Sequence, residues 1–176
     1  NRIQSARHMR ESGFFYDSSF HRYPSFYNVR ILNGVADKGY LMGSRNVDPV
    51  NGGGDWVCAK PDHWIFEGTG MQKGESIPGL IGWEYHGDPP TDIPGLEIVA
   101  EGTALQGGVN PQRWTSTIYP GPKGNFVFNA STIWWCQDLA SPPGHWLPWS
   151  HWSRPHGPDD RVQQITHNLL RRLIGK

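Results

Sequence analysis

Asn125-Phe126-Val127-Phe128-Asn129 is the most hydrophobic of the chain's strand candidates, set between Gly124 and the small polar pair Ser131-Thr132. A short continuous apolar run bounded by turn residues predicts a strand inside a sheet covered on both faces. Downstream, Pro158 precedes Asp159 and Asp160, either of which can cap the open N–H groups of a helix. Asp160 followed by Gln163 approximates a capping box. Val162, Ile165, Leu169 and Leu173 then recur at helical spacing and make one apolar face, which Gly175 brings to an end. Arg171, Arg172 and Lys176 fall in the last turn, where the helix dipole favours cations. A buried strand, a loop and a closing helix predict an α/β layer arrangement.

Three more strand candidates lie upstream. Leu80-Ile81-Gly82-Trp83-Glu84-Tyr85 is framed by Pro78-Gly79 and Gly87-Asp88-Pro89-Pro90. Leu96-Glu97-Ile98-Val99-Ala100 is the second, and Thr115-Ser116-Thr117-Ile118-Tyr119, closed by Pro120-Gly121-Pro122, the third. Asp62-His63-Trp64-Ile65-Phe66 reads as a short strand or turn. The glycines at 39, 43, 52, 53 and 54 make 39–54 a loop. Residues 1–12 suit a short polar helix that Gly13 stops. The stretch from Phe14 to Phe26 crowds aromatic and histidine side chains that need a surface to pack on. The expected division is therefore 1–55, an aromatic and glycine-rich segment seated on parts outside it, and 56–176, the C-terminal part of the α/β domain.

Composition narrows the class. Hydrophobic residues make up 36% and charged residues 18% of the 176, both low for a globular chain. With 22 glycines and 15 prolines, the domain is expected to be rich in loops. Nine tryptophans argue against disorder. Sixteen basic and sixteen acidic residues give no net charge and no basic stripe, which speaks against nucleic-acid binding. No apolar run reaches the length of a membrane span. Cys58 and Cys136 make no zinc motif; burial as small apolar groups is expected ahead of a disulfide, with a lean toward the cytoplasm. The opening Asn1-Arg2-Ile3-Gln4-Ser5 has neither initiator methionine nor signal-peptide core, so a longer parent is expected.

Three segments hold chemistry-bearing side chains. In Gly82-Trp83-Glu84-Tyr85-His86-Gly87-Asp88, a strand running into a turn would put Glu84 and His86 on one face. A carboxylate beside an imidazole can serve as acid and base, or as metal ligands. The structural alternative is a buried ion pair for Glu84 and a loop carbonyl for His86. Asn129-Ala130-Ser131-Thr132-Ile133-Trp134-Trp135 could present donors to a substrate carbonyl, or simply cap a turn. The third, Gly144 to Gly157, holds His145, His151 and His156 with Trp146, Trp149 and Trp152. Packing against a partner chain or domain is the leading expectation there, ahead of sugar stacking and metal binding. Gly-x-Ser-x-Gly and phosphate-loop motifs are absent.

The runs Asp62 to Gly70 and Leu80 to Glu84, then Gly124 to Ala130 with Trp134-Trp135, and the tail Asp159 to Leu170 resemble the N,N-dimethylformamidase large (beta) subunit-like C-terminal domain family, in order and in rough spacing. The resemblance covers 62–174 and is loose over 1–55. It implies the C-terminal portion of a class I glutamine amidotransferase-like α/β sandwich without the cysteine nucleophile, its other strands lying outside the matched stretch. It also implies part of a metal-dependent hydrolase of small linear amides, working as an oligomer or with an upstream domain. The implied cofactor is iron held by two tyrosines and a glutamate upstream of the match, so no metal ligand is assigned to a numbered position. Glu84 matches the family's Gly-aromatic-Glu-aromatic motif and is the expected catalytic carboxylate, with His86 beside it. Trp83 and Tyr85 reverse the commoner aromatic order, and His86 stands where many relatives carry aspartate. Phe128, Asn129, Trp134 and Trp135 are the expected substrate-binding residues. The alternative function is a non-catalytic domain that binds a glycan or a partner through the tryptophan-rich loop 145–156.

Overall fold

The computed structural model describes residues 14–15, 30–31, 52–82, 85–89, 92–145 and 157–175. Strands β1 (Phe14–Phe15) and β2 (Arg30–Ile31) form a short antiparallel pair with Phe14 opposite Ile31. The remaining strands, β3 (Gly52–Val57), β4 (Ser76–Gly82), β5 (Glu97–Gln106), β6 (Asn110–Pro120) and β7 (Phe126–Asn129), make one sheet in the order β4-β3-β5-β6-β7. Every pairing in it is antiparallel. One helix, α1 (Asp160–Leu173), closes the described fold. The molecule thus mixes α and β as expected, with hairpins joining β5 to β6 and β6 to β7.

The run that reads as an interior strand lies at the edge. β7 pairs only with β6 among the described residues, and Phe126, Val127 and Phe128 are half-buried. Its apolar side chains are covered by aromatic neighbours instead of by layers on both faces. Phe126 meets Trp64 edge-on at 5.4 Å, and Phe128 meets Trp135 edge-on at 5.6 Å. The strand covered on both faces is β6, where Trp114 to Ile118 are all buried. Its hydroxyls hide it from a hydropathy reading, and burial is tolerable because they are bonded. Ser116 Oγ donates to Asn129 O at 2.6 Å, and Thr115 Oγ1 donates to Gly87 O.

The glycine triplet at 52–54 is likewise strand and not loop. A Cβ at Gly52 would come within 2.8 Å of the Tyr85 ring, and one at Gly54 within 2.8 Å of Thr103 O. Both positions need glycine for close approach within a sheet. Asp62–Phe66 resolves into a turn and a 3-10 helix, Trp64–Phe66. A second 3-10 helix covers Trp135–Asp138.

The core gathers around Trp56 and Trp114, both fully buried and stacked at 6.5 Å. Indole Nε1 of Trp56 donates to Ala130 O at 3.0 Å, so this large ring is buried without a stranded donor. Helix α1 starts as expected, with Asp159 as its cap accepting from Arg161 N at 2.9 Å. Val162, Ile165 and Leu169 are buried, while Leu173, expected on the same face, is 57% exposed. Asn168 is buried among the apolar residues and donates to Ile65 O and Glu67 O, which fixes α1 to the first 3-10 helix. Cys58 is buried and Cys136 exposed, and both are free thiols.

Candidate functional site

Where β7 stops at Asn129, the segment around His86 continues along the edge of β6. Thr115 N donates to His86 O at 2.9 Å, on the stretch of β6 that lies beyond the end of β7. Ser131 reverses the chain with φ 66°, in the left-handed region that a side chain tolerates only when its surroundings hold it. Its hydroxyl is doubly engaged with one residue: Oγ accepts from His86 N at 3.0 Å and donates to His86 O at 2.9 Å. A hydroxyl buried and saturated in this way is a staple and not a nucleophile.

The staple brings two expected site residues together. His86 Nδ1 lies 2.9 Å from Asn129 Oδ1. The direction of that bond follows from a neighbour, because the peptide N–H of Ser131 donates to the same Oδ1 at 2.8 Å. A backbone N–H can only donate, so the amide presents its oxygen here and His86 Nδ1 must carry the hydrogen. Neutral His86 therefore holds its lone pair on Nε2. Asn129 is itself buried and tied into β7, so it holds the imidazole from a rigid element.

Among the described residues, Phe128, Trp134 and Trp135 make no hydrogen bond to this pair. Glu84, and with it the proposed sharing of a face with His86, lies outside the described residues; so do residues 146–156 of the tryptophan-rich loop. At that loop's near end, His145 Nε2 is 2.9 Å from Gln137 Oε1. Trp134 is buried in the core, and Phe128 and Trp135 are half-buried against it. Trp135 sits 5.4 Å from Trp56 and donates through Nε1 to Thr166 on α1 at 3.0 Å.

A second feature was not foreseen. Four segments distant in sequence line an open-sided recess of about 430 Å³: the first 3-10 turn, residues 95–97 at the start of β5, the β6–β7 hairpin and the end of α1. Trp64, Ile118, Tyr119 and Phe126 supply its apolar walls. Arg172 lies over the Trp64 ring at 5.5 Å. Glu97 is ion-paired with Lys60, which holds its carboxyl below the usual range. His63 Nε2 stands 3.9 Å from Glu97 Oε1, yet burial depresses its pKa, outweighing the pull of Glu97. His63 and Trp64 sit in the Asp62 to Gly70 run, but nothing in that run shows that Arg172 will fold over it.

The chain belongs to the family described as N,N-dimethylformamidase beta subunit-like, C-terminal, whose model matches residues 34–150. The match begins earlier than the motifs suggest and stops short of α1. No curated protein and no solved structure matches the chain. Among the described residues, no three His, Cys, Asp or Glu side chains gather where they could hold a metal ion. No helix among the described residues is long and apolar enough to cross a membrane.

Proposed function

We propose that this chain forms part of a hydrolase of small linear amides and contributes His86 as the group that moves the proton. The observation that carries this reading is the hydrogen bond from His86 Nδ1 to Asn129 Oδ1 at 2.9 Å, within the matched family region. Amide hydrolysis needs a proton taken from water as it adds to the carbonyl, and a proton given to the amine as it leaves. A neutral imidazole with Nδ1–H fixed carries its basic lone pair on Nε2, the atom assigned to the first transfer. The imidazolium so formed returns the proton in the second. Asn129 acts through His86 as a positioning residue, and Glu84, two residues before His86, is the carboxylate assigned to orient the water.

The finer features of the family belong to the same proposal. Strands and iron ligands from outside the described residues would complete an amidotransferase-like sandwich and its metal centre. The family is described by a subunit, which supports work in an assembly. Exposed Leu170, Leu173 and Ile174 at the end of α1 favour that too.

The positioning role is tested with Asn129→Ala in the assembled enzyme, using N,N-dimethylformamide as substrate. Expected is a fall in kcat with little change in KM, together with loss of the single His86 tautomer in ¹⁵N spectra. An unchanged kcat in a variant with a scrambled tautomer would reject it.

A further inference from the structure

We propose that the recess beside Arg172 is a binding site for a small monocarboxylate with a flat apolar body, such as an aromatic acid. Its volume, about 430 Å³, lies within the range of small-molecule sites. Apolar walls from Trp64, Ile118 and Phe126, with His63, Glu97, Asn125 and Arg172 as a polar lining, suit a compact organic ligand with one charged end.

The charges decide which ligand. Glu97 already has Lys60 as its partner, so the recess holds no unanswered negative charge to attract a cation. Arg172 has no carboxylate partner among the described residues, and its guanidinium rests over the indole of Trp64 at 5.5 Å. A guanidinium held over a ring by cation–π attraction is partly ordered and keeps N–H groups to donate. Their fork matches the two oxygens of one carboxylate. A dianion such as phosphate would want a second cation or a nest of backbone N–H groups, and the nearby Lys60 is already taken up by Glu97. His63, buried and neutral, can act as a hydrogen-bond partner without adding charge. The flat body then lies along Trp64 and Phe126, whose rings already meet edge-on at 5.4 Å.

The site differs from the His86 cluster. Phe126 and Asn129 stand at opposite ends of β7 and, three residues apart in an alternating strand, face opposite sides of the sheet. Binding here is therefore independent of the proposed hydrolysis.

Isothermal titration of the full chain with benzoate, benzamide and inorganic phosphate tests the proposal. Benzoate should bind saturably and about tenfold or more tighter than its neutral isostere benzamide, the difference expected of one charge-assisted bidentate pair. Arg172→Gln should bring benzoate down to the level of benzamide and leave benzamide unchanged. Arg172→Lys should retain part of the preference. Arg172 is exposed, so these variants are expected to keep the wild-type melting transition. Equal binding of benzoate and benzamide, no binding of either, displacement of benzoate by equimolar phosphate, or a Gln variant with undiminished benzoate affinity would each overturn the assignment.

Discussion

Asn168 on α1 gives both hydrogens of its amide to one short stretch of chain, reaching Ile65 O at 2.9 Å and Glu67 O at 2.7 Å. Gln164 Nε2, one turn earlier on the helix, donates to Asn168 Oδ1 at 2.9 Å, so the amide is satisfied on both sides. Helix and 3-10 turn are thereby locked in register, and Arg172 is brought over the Trp64 ring.

Replacing Asn168 with leucine keeps the volume but strands two carbonyls. Leaving buried acceptors unsatisfied costs about 1–3 kcal/mol each, so a loss of about 2–4 kcal/mol in urea unfolding is expected. A change under about 0.5 kcal/mol, the usual range of a neutral surface substitution, would show that the clamp contributes nothing.

Gly54→Ala and Gly70→Ala separate close approach from backbone conformation. At Gly54 the new Cβ meets Thr103 O at 2.8 Å, a backbone atom that cannot turn aside. At Gly70 nothing lies within 4 Å, and only the positive φ opposes the change. The first is expected to cost about 2–3 kcal/mol through overpacking and the second about 1 kcal/mol. Equal melting temperatures for the two variants would contradict the strand packing described for β3.

Burial depresses the pKa of His63 below its ordinary 6.5. The unfolded chain therefore binds a proton at that side chain before the folded one does. Stability should fall as pH drops from about 6.5 toward the depressed folded value, and be fully present above 6.5. His63→Gln should flatten that part of the stability–pH curve, as read from urea midpoints. An unaltered slope would show that His63 does not titrate differently on folding.

The Cys58 thiol is pushed up to about 11, chiefly by burial. At pH 8 one thiol, Cys136, is expected to react promptly with Ellman's reagent, and Cys58 only after unfolding. Two equally fast thiols would be inconsistent with the core as described.

Some of this was legible in the residues. Local signals were enough for α1, where Asp159 caps the helix and Val162, Ile165 and Leu169 repeat at helical spacing. Strand order was not, because it depends on pairing between distant segments. Phe126 to Phe128 is more hydrophobic than Thr115 to Thr117, yet the hydroxyl-bearing run is the interior one once its side chains find carbonyl partners. The glycines at 52–54 carry no mark that separates a flexible loop from a strand pressed against Thr103 O. His86 and Asn129 were each singled out, but their bond joins residues 43 positions apart. The recess needs 63–64, 95–97, 118–126 and 172 together, and hydropathy at any one of them gives no sign of it.

The proposed proton transfer at Nε2 is tested most directly by turnover of N,N-dimethylformamide with His86→Gln in the assembled enzyme. Glutamine keeps a polar side chain of similar reach but has no basic nitrogen. A fall in kcat of about 10²–10⁴-fold with the melting temperature retained is the predicted result. Turnover within a factor of about three of the native enzyme would contradict it.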